Sequence, residues 1–179
     1  DIREMFHQIL VQPCDRISQR FLWRDGNTEK PPDEYELVVM TFGAACSPCS
    51  ALYVMKANAK DHHAFNPRAI KAICDHHYID DFVDSFDSVN EAINISQQVR
   101  EIHKNGGFDL RGFISNSDEV ITTLDGCSIS KQIPTNDGKE KVLGLFWEPS
   151  SDNFMFNLKF HRVDQFVISG AHENGVHTS

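Results

Sequence analysis

Two apolar-rich stretches, Ile17–Trp23 and Tyr35–Thr41, flank a polar, proline-containing loop over Asp25–Glu34, and this pattern predicts a pair of strands. Ser47-Pro48 then opens a helix, with Ser47 as N-cap and Pro48 at the first helical position. That helix is expected to run to about His62, with Leu52, Met55 and Ala59 on one face. His76–Ile79 and Phe82–Asp84 read as short strands around a two-residue turn, Asp80-Asp81. Ser88-Val89-Asn90-Glu91 is a capping box, and Ala92, Ile95, Val99 and Ile102 follow on one helical face until Asn105-Gly106-Gly107 ends the helix. Residues from about Ser117 to Glu140 are polar and weakly patterned and predict loop with short strands. Val142–Trp147 and Phe154–Phe160 predict strands forming a hairpin around Glu148–Asn153. The order strand, helix, hairpin, helix, strand is the split βαβ pattern: an α+β fold with an antiparallel sheet and two helices on one face. One domain is expected over 1–147, a strand continues through 148–168, and the tail 169–179 is expected to be disordered.

Composition narrows the class. The chain has 179 residues, 40% hydrophobic and 24% charged, as in ordinary globular proteins. No apolar run reaches the roughly 20 residues that span a bilayer, so no membrane association is expected. No secretory pattern opens the chain. Five cysteines, Cys14, Cys46, Cys49, Cys74 and Cys127, form no regular framework, which fits free thiols in a reducing, cytoplasmic compartment. The net charge of −9 runs against a nucleic-acid-binding surface, which is normally basic.

Asp80-Asp81 changes that picture. Two adjacent carboxylates repel and gain nothing from burial, so a solvated acidic turn is the plain reading. The alternative is a metal site. Clustered carboxylates hold two Mg²⁺ ions roughly 3.5–4 Å apart, which clamp the attacking and leaving oxygens of a phosphoryl transfer. Such a site needs one further Asp from a neighbouring strand, and Asp1 is the candidate.

Here the motifs resemble a family. Tyr78-Ile79-Asp80-Asp81 resembles the Tyr-x-Asp-Asp box of reverse transcriptases. Asp1-Ile2-Arg3-Glu4-Met5-Phe6 is similar to their first motif, and Thr41-Phe42-Gly43-Ala44-Ala45-Cys46-Ser47-Pro48 to their Phe-Gly…Ser-Pro turn. The stretch Gly106–Ser117 is similar to the fourth motif, in the style of BEL/Pao long-terminal-repeat retrotransposons. Val142–Trp147 resembles the Leu-Gly strand that grips the primer. The five stand in family order across 1–147.

That resemblance implies a polymerase palm catalysing template-directed nucleotidyl transfer, with DNA made from an RNA or DNA template. It implies Asp1, Asp80 and Asp81 as catalytic, metal-binding residues for two Mg²⁺ ions, with Mn²⁺ able to substitute. Phe6 would be the steric gate against a ribose 2′-hydroxyl, and Phe42 and Gly43 would line the nucleotide pocket. Arg111 stands near the basic position of the fourth motif, but Gly112 separates it from Phe113. Tyr78, Gly144 and Leu145 would meet the primer and template. Deoxynucleoside triphosphates and a template-primer are the implied partners, together with the fingers, RNase H and integrase regions of a polyprotein in the cytoplasm or in virus-like particles. With those parts outside the chain, the basic surfaces would lie elsewhere, and little or no activity is expected of this piece alone.

Each residue also has a structural reading: core aromatic for Phe6, strand-to-helix turn for Phe42-Gly43, cross-strand aromatic for Tyr78, surface charge for Arg111. Rival functions remain open beside the polymerase. Cys46-Ser47-Pro48-Cys49 at a helix start fits a thiol redox pair. Cys74-Asp75-His76-His77, together with Asp61-His62-His63, has zinc-ligand chemistry but no known structural spacing. The split βαβ pattern also suits a non-catalytic nucleic-acid-binding module. An aspartic peptidase lacks its triplet, since Leu124-Asp125-Gly126 has no hydroxyl residue.

Overall fold

The computed structural model describes residues 1–126 and 140–155. The chain divides into two compact units, Asp1–Pro134 and Thr135–Ser179. That boundary falls inside the 1–147 stretch expected to form one domain. Both helices and antiparallel strands are present, so the class is α+β.

In the first unit, short 3-10 turns over Met5–Gln8 and Pro13–Gln19 precede a hairpin of β1 (Arg20–Trp23) and β2 (Asp33–Glu36). These strands are shorter than the apolar stretches suggest. Pro13 starts a 3-10 turn that takes up Ile17, and beyond Glu36 the chain changes partner. The Val11 amide donates to the Val38 carbonyl and the Met40 amide to the Ile9 carbonyl, both at 2.9 Å. Phe21 stacks on Tyr35 across the hairpin, and both faces of the hairpin are exposed.

Helix α1 spans Ser47–Asp61. Its cap is Cys46 rather than Ser47. The Ser47 hydroxyl instead donates to the Thr41 carbonyl at 2.7 Å, which fastens the turn to the helix start. Met55 and Ala59 are buried as expected. Helix α2 (Pro67–Asp75) escapes the sequence pattern because it is only nine residues long. It is nevertheless well begun: the Asn66 side chain accepts from the Arg68 amide at 2.9 Å, and Pro67 occupies the first turn.

Strands β3 (His77–Tyr78) and β4 (Asp81–Phe82) form the acidic hairpin. Its turn is Ile79-Asp80, one residue earlier than expected, because Ile79 packs against the hydrophobic core. Helix α3 (Val89–Asn105) is capped by the Ser88 hydroxyl, which accepts from the Glu91 amide. Its other end is a Schellman motif. Gly107 takes a φ of +82°, its amide donates to the Lys104 carbonyl, and the Phe108 amide donates to the His103 carbonyl.

Helix α4 (Asp118–Asp125) replaces the loop expected there. Asp118 and Glu119 favour its N-terminal turn, and Val120, Ile121 and Leu124 are buried. With barely two turns, the apolar stripe is too short to read as periodic. The core lies where α1, α2 and α3 meet the chain's first residues and the segment after α3.

The second unit contains β5 (Glu140–Val142), β6 (Leu145–Glu148) and β7 (Asn153–Met155) in one antiparallel sheet. The single strand expected over Val142–Trp147 is broken at Leu143-Gly144. Both residues have positive φ, 50° and 86°, as a type I′ hairpin turn requires. The hairpin around Glu148–Asn153 forms as expected. Most of the strand expected over Phe154–Phe160, and the tail 169–179, lie outside the described residues.

Candidate active site

Three backbone segments meet at Ile2, which is buried and joins the other two by one hydrogen bond and one isolated antiparallel bridge. The Ile2 amide donates to the Asp80 carbonyl at 2.9 Å. On its other side Ile2 bridges Leu110, with Arg3 donating to the Asp109 carbonyl at 2.9 Å and Arg111 to the Asp1 carbonyl at 3.1 Å. Asp1, the hairpin tip at Asp80 and the stretch Asp109–Arg111 are therefore neighbours.

Electrostatics follows from this placement. Burial pushes the Asp81 carboxyl pKa up, and the neighbouring Asp80 carboxylate pushes it further. The site is a crowd of like charges that a cation would relieve. Carboxylate oxygens are the donors Mg²⁺ prefers, so the residues fit such an ion in kind. Among the described residues, however, no three His, Cys, Asp or Glu side chains are arranged as a ready metal-ligand set.

Backbone conformation adds a constraint at the tip. Ile79 has a φ of 55°, a left-handed value that a β-branched residue adopts only when its surroundings impose it. Burial of its side chain is one such imposition; the bond from Ile2 to Asp80 is a second. Tyr78, two residues before Asp80, is 66% exposed and pairs across the hairpin with Asp81.

Phe6 and Phe42 meet edge to face, with ring centroids 4.7 Å apart. Phe6 is buried, whereas Phe42 is 66% exposed, so the pair joins the core to the surface. Gly43 has a φ of +86° with open space where a Cβ would stand, so it serves the turn and leaves that side free. Cys46 and Cys49, at the adjoining helix start, are exposed free thiols. Gly144 and Leu145 belong to the second unit, in the β5–β6 turn and in β6.

Compared with known proteins, the chain matches no family model and no curated relative. Its chemistry therefore rests on the motifs and on this geometry.

Several polar residues important to the site carry no motif. His77 Nε2 lies 3.0 Å from His103 Nε2, which ties strand β3 to helix α3 just before Tyr78. Burial holds the His77 pKa down to about 3, helped by the positive charge of its neighbours, and holds His103 down to about 4. The signal for His103 was present in the sequence: it falls four residues after Val99, on the buried face of α3. Asp84, its side chain 3% exposed, receives Arg68 at 2.9 Å and His76 at 2.7 Å and closes the base of the same hairpin. Its pKa stays low because these hydrogen bonds outweigh burial, which acts to raise it.

Proposed function

We propose that this chain is the catalytic palm region of a reverse transcriptase, of the kind found in BEL/Pao retrotransposons, and that it performs template-directed nucleotidyl transfer. The observation that carries the reading is the hydrogen bond from Ile2 to Asp80. It brings Asp1 beside the Asp80-Asp81 hairpin, although the two lie far apart in the chain. The contact between Phe6 and Phe42 supports it, since it joins two further motifs.

On this reading Asp1, Asp80 and Asp81 would hold two Mg²⁺ ions, which supply charge stabilisation at the transferring phosphoryl group when bound. The chain's own residues do the rest. Phe6, packed against Phe42, would act as the aromatic block against a ribose 2′-hydroxyl. Gly43 leaves room for a nucleotide to approach the backbone. Tyr78 offers an exposed ring on which a primer-terminal base or sugar can rest. Arg111, held to Asp1 through the backbone, would place positive charge beside the carboxylates. Gly144 and Leu145 would contact the primer strand, and the partners would be a template-primer, deoxynucleoside triphosphates and the other regions of a retroelement polyprotein.

Mn²⁺ titration followed by electron paramagnetic resonance tests the site directly. We expect binding that weakens at least tenfold in Asp80→Asn and in Asp81→Asn. Equal affinity in wild type and both variants overturns the reading.

A further inference from the structure

The start of α1 carries two thiols three residues apart, Cys46 and Cys49, both exposed and free. The backbone through them is already helical. Cys46 has a φ of −84° and a ψ of −18°, and its carbonyl accepts the Ser50 amide at 2.9 Å. Residues three apart on an α-helix stand about 5 Å apart at Cα, within the roughly 4.4–6.8 Å that a disulfide spans. Their Cβ atoms lie about 5–6 Å apart on such a helix. They must close by roughly 1–2 Å to reach the separation found in a disulfide.

The first turn can yield that much. Pro48, between the thiols, has no N–H, so tightening the turn breaks no backbone hydrogen bond at that residue. Ser47 anchors the turn meanwhile. It is 2% exposed, its hydroxyl donates to the Thr41 carbonyl at 2.7 Å, and its amide donates to the Ala44 carbonyl at 3.1 Å. The buried serine is pinned, and the cysteines on either side of Ser47-Pro48 face solvent. Cys14 and Cys74 differ, since no cysteine lies within four residues of either.

We propose that Cys46 and Cys49 form a reversible disulfide site, oxidised by small disulfides of the glutathione class. The thiolate of one cysteine attacks glutathione disulfide, forming a mixed disulfide and releasing the first glutathione. The thiolate of the other attacks the protein sulfur of that mixed disulfide, closing the Cys46–Cys49 bond and releasing the second glutathione. Two electrons pass from the chain to the reagent, and the two thiol protons end on the two released glutathiones. Excess reduced glutathione reverses both steps. Closure fixes the start of α1, where the Phe42-Gly43 turn joins the helix. The site uses none of the carboxylates and stands independently of the polymerase reading.

Equilibration of the folded chain with oxidised and reduced glutathione tests it, followed by trapping of free thiols with N-ethylmaleimide, tryptic digestion and mass spectrometry. The tryptic peptide Asp25–Lys56 contains Cys46 and Cys49 and no other cysteine. It should escape the trap, carry no glutathione and be two hydrogens lighter than its dithiol form. In Cys46→Ser and in Cys49→Ser the remaining thiol should instead carry one glutathione. Diluting total glutathione tenfold at a fixed oxidised-to-reduced ratio should raise the disulfide-to-dithiol ratio about tenfold, because closure consumes one glutathione disulfide and releases two thiols. The glutathione adduct on exposed Cys14, a one-for-one exchange, should not respond to dilution. A peptide that stays reduced, or stops at glutathione adducts, while Cys14 reacts overturns the proposal. So does a ratio that ignores dilution, or a linkage to Cys14, Cys74 or Cys127. Mn²⁺ binding plays no part in this readout, so failure of the thiol site and failure of the polymerase reading are distinguished.

Discussion

Gly106 illustrates how a single atom is excluded. A Cβ there would stand 2.6 Å from the Asn58 side chain, whose amide donates to the Ile102 carbonyl at 2.9 Å. Gly106→Ala should force Asn58 aside and cost about 1–3 kcal/mol, as overpacking does; urea denaturation would measure it. Asp81 makes the opposite case. Its raised pKa means that the folded chain disfavours its charge at neutral pH. Asp81→Asn should therefore raise the melting temperature of the metal-free chain by about 1–2 °C while weakening Mn²⁺ binding. A lower melting temperature would show that the carboxylate is structurally required. Asp84 differs from both, because Arg68 compensates its charge. Asp84→Ala leaves the partly exposed Arg68 without its carboxylate and should cost about 1–3 kcal/mol, as loss of a charge-assisted hydrogen bond does.

At the scale of elements, strand β3 depends on helix α3 through the His77–His103 contact. One Nε2 must donate and the other accept, so the accepting ring is neutral, and burial holds both pKa values low enough that both rings are neutral at pH 7. In the unfolded chain each titrates near 6.5. The unfolded state therefore binds more protons below that pH, and stability falls as pH drops from about 6.5 toward the folded values of about 4 and about 3. The slope is at most about 1.4 kcal/mol per pH unit for each histidine. Denaturation free energies at pH 7.5, 6.0 and 5.0 should show this decline, and a His77→Gln/His103→Gln variant should flatten it. Carboxylates titrate mainly below this window, so an unflattened slope would place the effect on other histidines. Helix α3 itself was legible from its capping box and apolar stripe. Helices α2 and α4 were not, since with nine and eight residues each falls short of the three turns or so that a stripe needs to stand out from chance. The hairpin was legible in kind but shifted by one residue, because burial of Ile79 decides which pair occupies the turn.

Across the whole molecule, a net charge of −9 opposes contact with nucleic acid. On the polymerase reading, divalent cations at the carboxylates offset part of that charge. Retention of a template-primer should then be weak in EDTA, stronger with Mg²⁺, and insensitive to Mg²⁺ in the Asp80→Asn/Asp81→Asn variant. Filter binding at fixed ionic strength would check it. Mg²⁺ enhancement that persists in the variant would locate the effect away from these residues.

The sequence by itself determined the local elements whose causes are local: the Ser88 cap, the Gly106-Gly107 stop, the Pro48 helix start and the adjacency of two carboxylates at a tight turn. It also supplied the ordered motifs. The expectation that Asp1 lies beside the Asp80-Asp81 turn came from those motifs and not from periodicity, because one backbone hydrogen bond from Ile2 to Asp80 leaves no periodic trace. The sequence could not reveal the Arg100–Asp125 pair, whose residues are adjacent only after α3, α4 and the segment between them have packed. Long-range contacts are chosen by burial and by the satisfaction of backbone polar groups throughout the fold, and that choice belongs to the tertiary structure.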